Sequence, residues 1–427
     1  MKMQAHKIPV KLNGKKYTGL ALSVFLLLFS CNHIQESRFG IPELNLKHFL
    51  YLYEVVDLPG NLHGGIVHIY SEYPDYDFAI EPDEGFTCVD DVARAMMIDD
   101  IRFSNNKSLL TKYDYMARFL LYMQADNGYF YNFLWPDLSI NKTYRTSVAE
   151  PNWWSWRAFW ALANYEDSNP DEKGKVSVAC ERLADNVFKL LLNKPEIKET
   201  VKGMIVPTWL PSGTAGDQSS VLMLGLEAYY KNIKQDERVL QVLEKLADGL
   251  MVTQKGNAAS FPYCAFMSWK NRWHAYGNSQ AYAMLKTGQL LNRSDYIESA
   301  LLEIDNFYPY LIEEKFPANF SLKKTSGKYE LIEKHQFPQI AYGFRPMIWA
   351  CAEAYHVTGK EKYLELAEKI AGWFRGNNPA NQQMYDPKTG RCYDGIVSKT
   401  NVNKNSGAES TIEALLSLQV FNKIAEE

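Results

Sequence analysis

Apolar residues recur at i, i+3, i+4 and i+7 over twelve stretches of the chain, at about 44–56, 90–104, 109–124, 152–166, 173–193, 217–232, 236–253, 276–291, 294–313, 345–358, 360–376 and 409–425. That spacing puts an apolar stripe on an α-helix. Two kinds of helix alternate. Those beginning near Asp90, Asn152, Asp217, Tyr276, Pro346 and Glu409 are apolar almost all round, as in Ala158-Phe159-Trp160-Ala161-Leu162-Ala163. Those beginning near Leu110, Lys173, Gln235, Ser294 and Lys360 carry a charged face, as in Lys360-Glu361-Lys362-Tyr363-Leu364-Glu365. A helix apolar on every side is buried, and an amphipathic helix covers it. The apolar starts recur at spacings of roughly 60–70 residues, which makes a helical hairpin the repeating unit. The fold class predicted is all-α: an (α/α)6 toroid with six inner helices inside six outer ones. An open α-helical solenoid is the alternative arrangement of the same hairpins.

Gly, Pro and aromatic clusters fall in six long connections, Ser71–Val89, Asn127–Glu150, Gly203–Gly216, Gln254–Ala275, Glu314–Arg345 and Asn377–Ala408, each leading into an inner helix. A toroid would bring these six starts to one mouth. Their polar residues include Asp90-Asp91, Glu150, Asp217, Asn278, Gln339, Arg345 and Glu409. Capping accounts for part of this, since Asp, Asn and Ser at helix starts satisfy free N–H groups. It does not account for a pair at Asp90-Asp91, for Glu150 beside Trp153-Trp154, or for Glu409 with Glu413 one turn on.

Aromatic residues make up 14% of the chain, and many fall at the mouth, among them Trp153, Trp154, Tyr276 and Tyr342. Aromatic faces stack on sugar rings while their polar tips meet hydroxyls, so carboxylates among tryptophans suit a saccharide better than an anion. The net charge of -4 with mixed signs gives no nucleic-acid surface. HExxH, GxSxG, P-loop and GxGxxG patterns are absent, as is any metal-spaced Cys/His cluster, so neither a metal nor a cofactor is expected.

The first twenty residues carry Lys2, Lys7, Lys11, Lys15 and Lys16 with no acid, and the apolar run Ala21–Phe29 stops at Ser30-Cys31. This is the layout of a signal peptide, too short for the ~20 residues of a membrane span, and Leu28-Phe29-Ser30-Cys31 resembles a lipobox. The expectation is a lipoprotein: signal peptide 1–30, lipidated Cys31 opening a tether over 31–42, and one domain over 43–427. Acyl chains on Cys31 would each contribute about 0.8 kcal/mol per buried CH₂. Asn32 carries no acid that would signal inner-membrane retention, which favours the outer membrane. The domain is expected to be a monomer. Cys88, Cys180, Cys264, Cys351 and Cys392 show no CxxC spacing and read as small core residues rather than a disulfide framework.

Gly85-Phe86-Thr87-Cys88-Val89-Asp90-Asp91-Val92-Ala93-Arg94-Ala95 resembles the GYCTDDNARAL segment of six-hairpin, glycosidase-like domains found in bacteria alone or fused to sugar-nucleotide glycosyltransferases. The likeness continues through Asp126–Phe133 and Glu150 with Trp156–Leu162. It is closest in Trp373–Asn378, Met384–Gly395 and the GAEST run Gly407-Ala408-Glu409-Ser410-Thr411. The resemblance implies the six-hairpin glycosidase superfamily and its (α/α)6 fold. That superfamily includes hydrolases, lyases and epimerases, so it does not fix a reaction.

The reading preferred from the residues is a glycoside hydrolase with two carboxyl groups. Asp91, at the positive end of a helix dipole, is expected to keep a low pKa and act as base. Glu150, beside tryptophans, is expected to be desolvated and act as acid, with Glu409 as reserve for either role. Asp90, Trp153, Trp154, Asp217, Tyr276, Asn278, Gln339, Tyr342 and Arg345 are the expected sugar-binding residues. Two alternatives stand beside it: a polysaccharide lyase using Tyr342, His335 and Arg345 on a uronate, and a non-catalytic glycan-binding lipoprotein.

Overall fold

The computed structural model describes residues 44–166 and 170–426. The signal-peptide segment, Cys31 and the tether lie outside the described residues. Among the described residues thirteen α-helices follow one another: α1 (Lys47–Leu52), α2 (Val89–Ala95), α3 (Asp99–Arg102), α4 (Lys107–Tyr122), α5 (Trp153–Ala163), α6 (Pro170–Leu191), α7 (Gly216–Asn232), α8 (Glu237–Thr253), α9 (Gln280–Leu291), α10 (Ser294–Glu313), α11 (Arg345–Thr358), α12 (Lys362–Ala371) and α13 (Ala408–Glu426). The nearly all-apolar members α2, α5, α7, α9, α11 and α13 pack each on the next, and α13 returns to α2. That last contact closes the ring and rules out the open solenoid. In α7 every residue from Gly216 to Tyr229 is buried, as an inner helix requires. The amphipathic α4, α6, α8, α10 and α12, with α1, lie outside. In α8, Val239, Val242, Leu243, Leu246 and Leu250 face inward, and Asp236 caps its start by accepting from the Arg238 N–H at 3.0 Å.

Two elements depart from the sequence pattern. The helix expected over 90–104 breaks after Ala95, because the Gln419 amide of α13 enters the gap, accepting from the Asp99 N–H at 3.0 Å and donating to the Met97 carbonyl at 3.2 Å. The helix expected over 44–56 stops at Leu52. Tyr53–Leu58, with Val55 and Val56 at its centre, pairs instead with Leu62–Val67 around a turn in which Gly60 and Asn61 take positive φ. β-Branched residues favour a pleated strand, and such a turn favours Gly and Asn.

The long connections are not bare loops. They fold into small antiparallel ribbons, among them Tyr70–Glu72 with Asp77–Ala79, Thr87–Cys88 with Phe133–Leu134, and Gly395–Ser398 with Asn401–Asn403. A three-stranded sheet joins Arg272–His274, Asn319–Thr325 and Lys328–His335. These ribbons build the mouth over the inner-helix starts. The five cysteines among the described residues are buried and free. Among those residues no helix is long and apolar enough to cross a membrane.

Candidate active site

A cleft of about 400 Å³ opens over the starts of α2 and α13, lined by Asp90, Asp91, Arg94, Glu409 and Ser410 from the helices and by Tyr70, Glu84, Asn132, Asp394, Val397 and Asn403 from the ribbons. Local chemistry fixes these side chains. Asp91 is in the first turn of α2, where its N–H meets the Cys88 sulfur at 3.4 Å and its carboxylate accepts from the same thiol at 3.1 Å. Burial pushes the Cys88 thiol up, so it stays a donor. Asp394 is held on a loop between two ribbons by the Gly407 N–H at 2.9 Å and the Ser410 hydroxyl at 2.7 Å, while burial raises its pKa. Gly407 sits so close to the Ile69 carbonyl that an added Cβ would lie 2.3 Å from it, so only glycine fits beneath this wall.

Behind the cleft the inner helices bury a charge network. Arg94 pairs with Asp91 at 2.6 Å, with Glu409 at 2.9 Å and with Glu413 at 3.1 Å. Arg345 pairs with Glu413 at 2.5 Å, and Arg157 pairs with Asp90 at 2.5 Å. The guanidinium carbons of Arg94, Arg157 and Arg345 lie 4.7, 5.0 and 5.4 Å from the centre of the Tyr342 ring, close enough for cation–π attraction. Arg157 also donates to the Tyr342 hydroxyl at 2.5 Å. Four carboxyl groups thus face three guanidiniums, and one acid is left without a full share of positive charge.

That acid is Glu409. Its side chain remains 41% exposed and lines the cleft. Packing on the other sides desolvates the carboxyl, and Asp91 and Glu413 add like charge; these outweigh Arg94 and push its pKa up to about 7. Asp90 and Glu84 are further partly exposed acids of the cleft, and Glu84 accepts from the Tyr70 hydroxyl at 2.5 Å, away from the arginines. The Oδ2 of Asp90 is occupied by Arg157, whereas its Oδ1 is buried with no hydrogen-bond partner among the described residues.

Several expected roles change. Asp91 is 3% exposed, and desolvation raises its pKa against the pull of Arg94, so the expected low pKa of an open base is corrected. Both its oxygens are engaged, and it serves to hold Arg94. Glu150 is exposed in the connection before α5, where it accepts from the Asn152 side chain at 3.4 Å, and it does not line the cleft; its expected desolvation is corrected as well. Trp154 is buried and donates to the Phe130 and Val148 carbonyls at 2.7 and 3.1 Å. It braces the loop rather than offering a stacking face.

Gln339 is locked between the Phe316 carbonyl at 2.7 Å and the Trp373 indole at 2.9 Å. Asn278 accepts from Ser268 at 3.1 Å within the core. Tyr342 and Arg345 are 3% exposed and lie under the cleft floor. Trp153 packs beside the Arg157 guanidinium at 5.0 Å. Asp217 accepts from the Gln218 N–H at 2.7 Å and meets His274 at 2.9 Å. Tyr276, 46% exposed, stacks on that histidine at 3.9 Å. The lyase set is not assembled, since His335 is exposed and pairs with Glu333 at 2.6 Å, away from Tyr342 and Arg345 in the core. Arg94 and Arg157 were not among the expected site residues, although a buried arginine, such as Arg157 alone in the apolar α5, has to find a buried partner. Among the described residues no group of His, Cys, Asp and Glu is arranged to hold a metal ion.

No protein-family model matches the chain, and no curated protein sequence matches it. Solved structures do match its fold. Cellobiose 2-epimerase from Bacillus thermoamylovorans superposes with a TM-score of 0.61 at 12% identity, over 89% of this chain and 96% of the other. A family 76 glycoside hydrolase from a bovine Bacteroides thetaiotaomicron strain gives 0.54 at 10% identity, over 88% of this chain and 75% of the other. A D-mannose isomerase gives 0.52 at 12% identity, over 82% and 94%. The fold is therefore an (α/α)6 toroid, shared by proteins whose names describe different sugar chemistries.

Proposed function

We propose that this protein is a glycoside hydrolase acting on oligo- or polysaccharide at the cell envelope, held to a membrane by lipid on Cys31. The observation that carries the reading is Glu409, which keeps its proton up to about pH 7 while its carboxyl faces the cleft. A carboxylic acid protonated near neutrality where a sugar oxygen can reach it is what glycosidic cleavage requires. Asp90 supplies the second group. Arg157 holds its Oδ2, while its Oδ1 is unpartnered but closed to solvent, so the carboxylate is oriented and a small side-chain turn brings the free lone pair to the cleft.

In the reaction Glu409 gives its proton to the glycosidic oxygen as the bond to the anomeric carbon breaks. Asp90 either takes a proton from the water that attacks that carbon or bonds to the carbon itself. Arg94, 2.9 Å from Glu409, stabilises the carboxylate left behind. Asp91 keeps Arg94 in place through its 2.6 Å ion pair.

The test is to incubate the chain lacking residues 1–31 with a panel of oligo- and polysaccharides and follow new reducing ends. Release from at least one member supports hydrolysis. Binding without release, or formation of an epimer or isomer in its place, overturns it. The anchor is tested separately: Cys31→Ser is expected to move the expressed protein from the membrane fraction to the soluble one, and unchanged fractionation would refute lipidation.

A further inference from the structure

The cleft does not end at the carboxyl groups. Val397 and Asn403, which form part of its wall, also line a shallow groove of about 480 Å³ bounded by Tyr73, Asn401, Lys404 and Asn405. The two spaces therefore border one ribbon, Gly395–Ser398 with Asn401–Asn403, from either side. That ribbon is fixed to the neighbouring strand. Ser406 donates its N–H to the Ser71 carbonyl at 3.0 Å, and Tyr73 donates its N–H to the Asn405 side chain at 3.0 Å. Tyr73 is thereby pinned by its backbone while its side chain stays 52% exposed. Tyr76 braces it edge-on at 6.0 Å, and the Lys404 ammonium lies 5.5 Å from the ring centre. Val397 is 49% exposed on the wall between groove and cleft.

We infer that this groove is a distal sugar subsite, so that the substrate is a glycan chain of three or more units running from Glu409 over the Asn401–Asn405 ribbon to Tyr73. The inference rests on the cleft being the saccharide site and goes beyond it in naming the substrate class. The chemistry is that of a neutral carbohydrate. An exposed tyrosine ring offers a face for the C–H side of a pyranose and a hydroxyl for its edge. Asn401 and Asn403 offer amides, each with donors and an acceptor, suited to neighbouring hydroxyls. Among the described residues that line the groove, Lys404 is the only charged one. A groove beside the cleft gives room for further sugar units, whereas a lone monosaccharide would fill only the cleft.

The experiment is calorimetric binding of cello- and manno-oligosaccharide ladders of one to six units to the chain lacking residues 1–31, so that no turnover is needed. Affinity in one ladder is expected to rise until the third or fourth unit and then level off. Tyr73→Ala should remove about tenfold of the affinity for the longer members and leave that for the shortest member unchanged. Tyr73→Phe should retain most of it, and an unchanged thermal midpoint in both variants excludes misfolding. Affinity independent of length, absence of binding in both ladders, or equal loss for short and long members would overturn the subsite. Failure of the hydrolase reading looks different: length-dependent binding sensitive to Tyr73 would persist with no bond cleaved.

Discussion

Glu413 never meets the cleft, yet the charge network makes it a control on the acid that does. It is fully buried in α13, one turn beyond Glu409, and bridges Arg94 at 3.1 Å and Arg345 at 2.5 Å. Glu413→Gln keeps the shape and removes the charge. Side chains one turn apart lie about 6 Å from each other, and at an effective dielectric of about 20 two like charges at that separation repel by about 3 kcal/mol, equivalent to about two pKa units. Solvent entering from the cleft screens Glu409, so about one unit is the expected effect. The loss of Glu413 also leaves Arg94 more of its charge for Glu409, which acts in the same direction. The midpoint of Glu409 should fall from about 7 to about 6. It is read from a ¹³C-carboxyl titration, with the resonance assigned by its absence in Glu409→Gln. The basic limb of the activity profile should move down with it. The same variant leaves two buried guanidiniums underpaired and should lose about 3 kcal/mol of stability. A midpoint that stays at about 7 in the variant, or that is already near 4.5 in the parent protein, would refute the reasoning.

Two further outcomes follow from buried groups. Glu303 is fully buried, accepts from the Phe266 N–H at 2.7 Å, and is pushed by desolvation up to about 8. The native state then holds a proton that the unfolded chain releases above about 4.5, so stability falls as pH rises from there to about 8, by about 5 kcal/mol in all; Glu303→Gln should flatten that slope in denaturant titrations across the range, and an equal slope in both proteins would contradict the assignment. Trp154→Phe removes the donor shared by the Phe130 and Val148 carbonyls and should cost about 1–3 kcal/mol of stability with saccharide affinity unchanged; a selective loss of affinity would restore it as a stacking residue.

The ring was legible because burial leaves a period in the sequence: helices such as α7 are apolar on every side and helices such as α8 on one. What broke the helix over 90–104 was tertiary, whereas the one over 44–56 gave way to a local hairpin. The Gln419 amide that splits 90–104 comes from more than three hundred residues away, and no local propensity announces it. Of the candidate acids, Asp90, Asp91 and Glu409 do line the cleft, because helix starts point at the mouth wherever the ring closes. Glu150 does not, since it sits on a loop whose facing depends on the ribbons around it. Polar residues at helix starts, such as Asn278 and Gln339, are engaged by core partners that sequence spacing does not reveal. The division of labour between Asp91 and Glu409 depends on how three arginines distribute their charge, and two of them, Arg94 and Arg157, looked like ordinary members of apolar helices. Asp394 was visible only as part of a resembling segment, because its role depends on Gly407 and Ser410 arriving from the next hairpin.

The central claim is that Glu409 donates the proton. Its most direct test is the rate of reducing-end release by Glu409→Gln, measured at about pH 6 beside the parent protein on whichever glycan of the panel the parent cleaves. The account predicts a loss of about 10²–10⁴-fold with substrate affinity retained, because the amide keeps the size and the Arg94 contact but has no acidic proton to give. Cleavage by Glu409→Gln at a rate within a few-fold of the parent would contradict it.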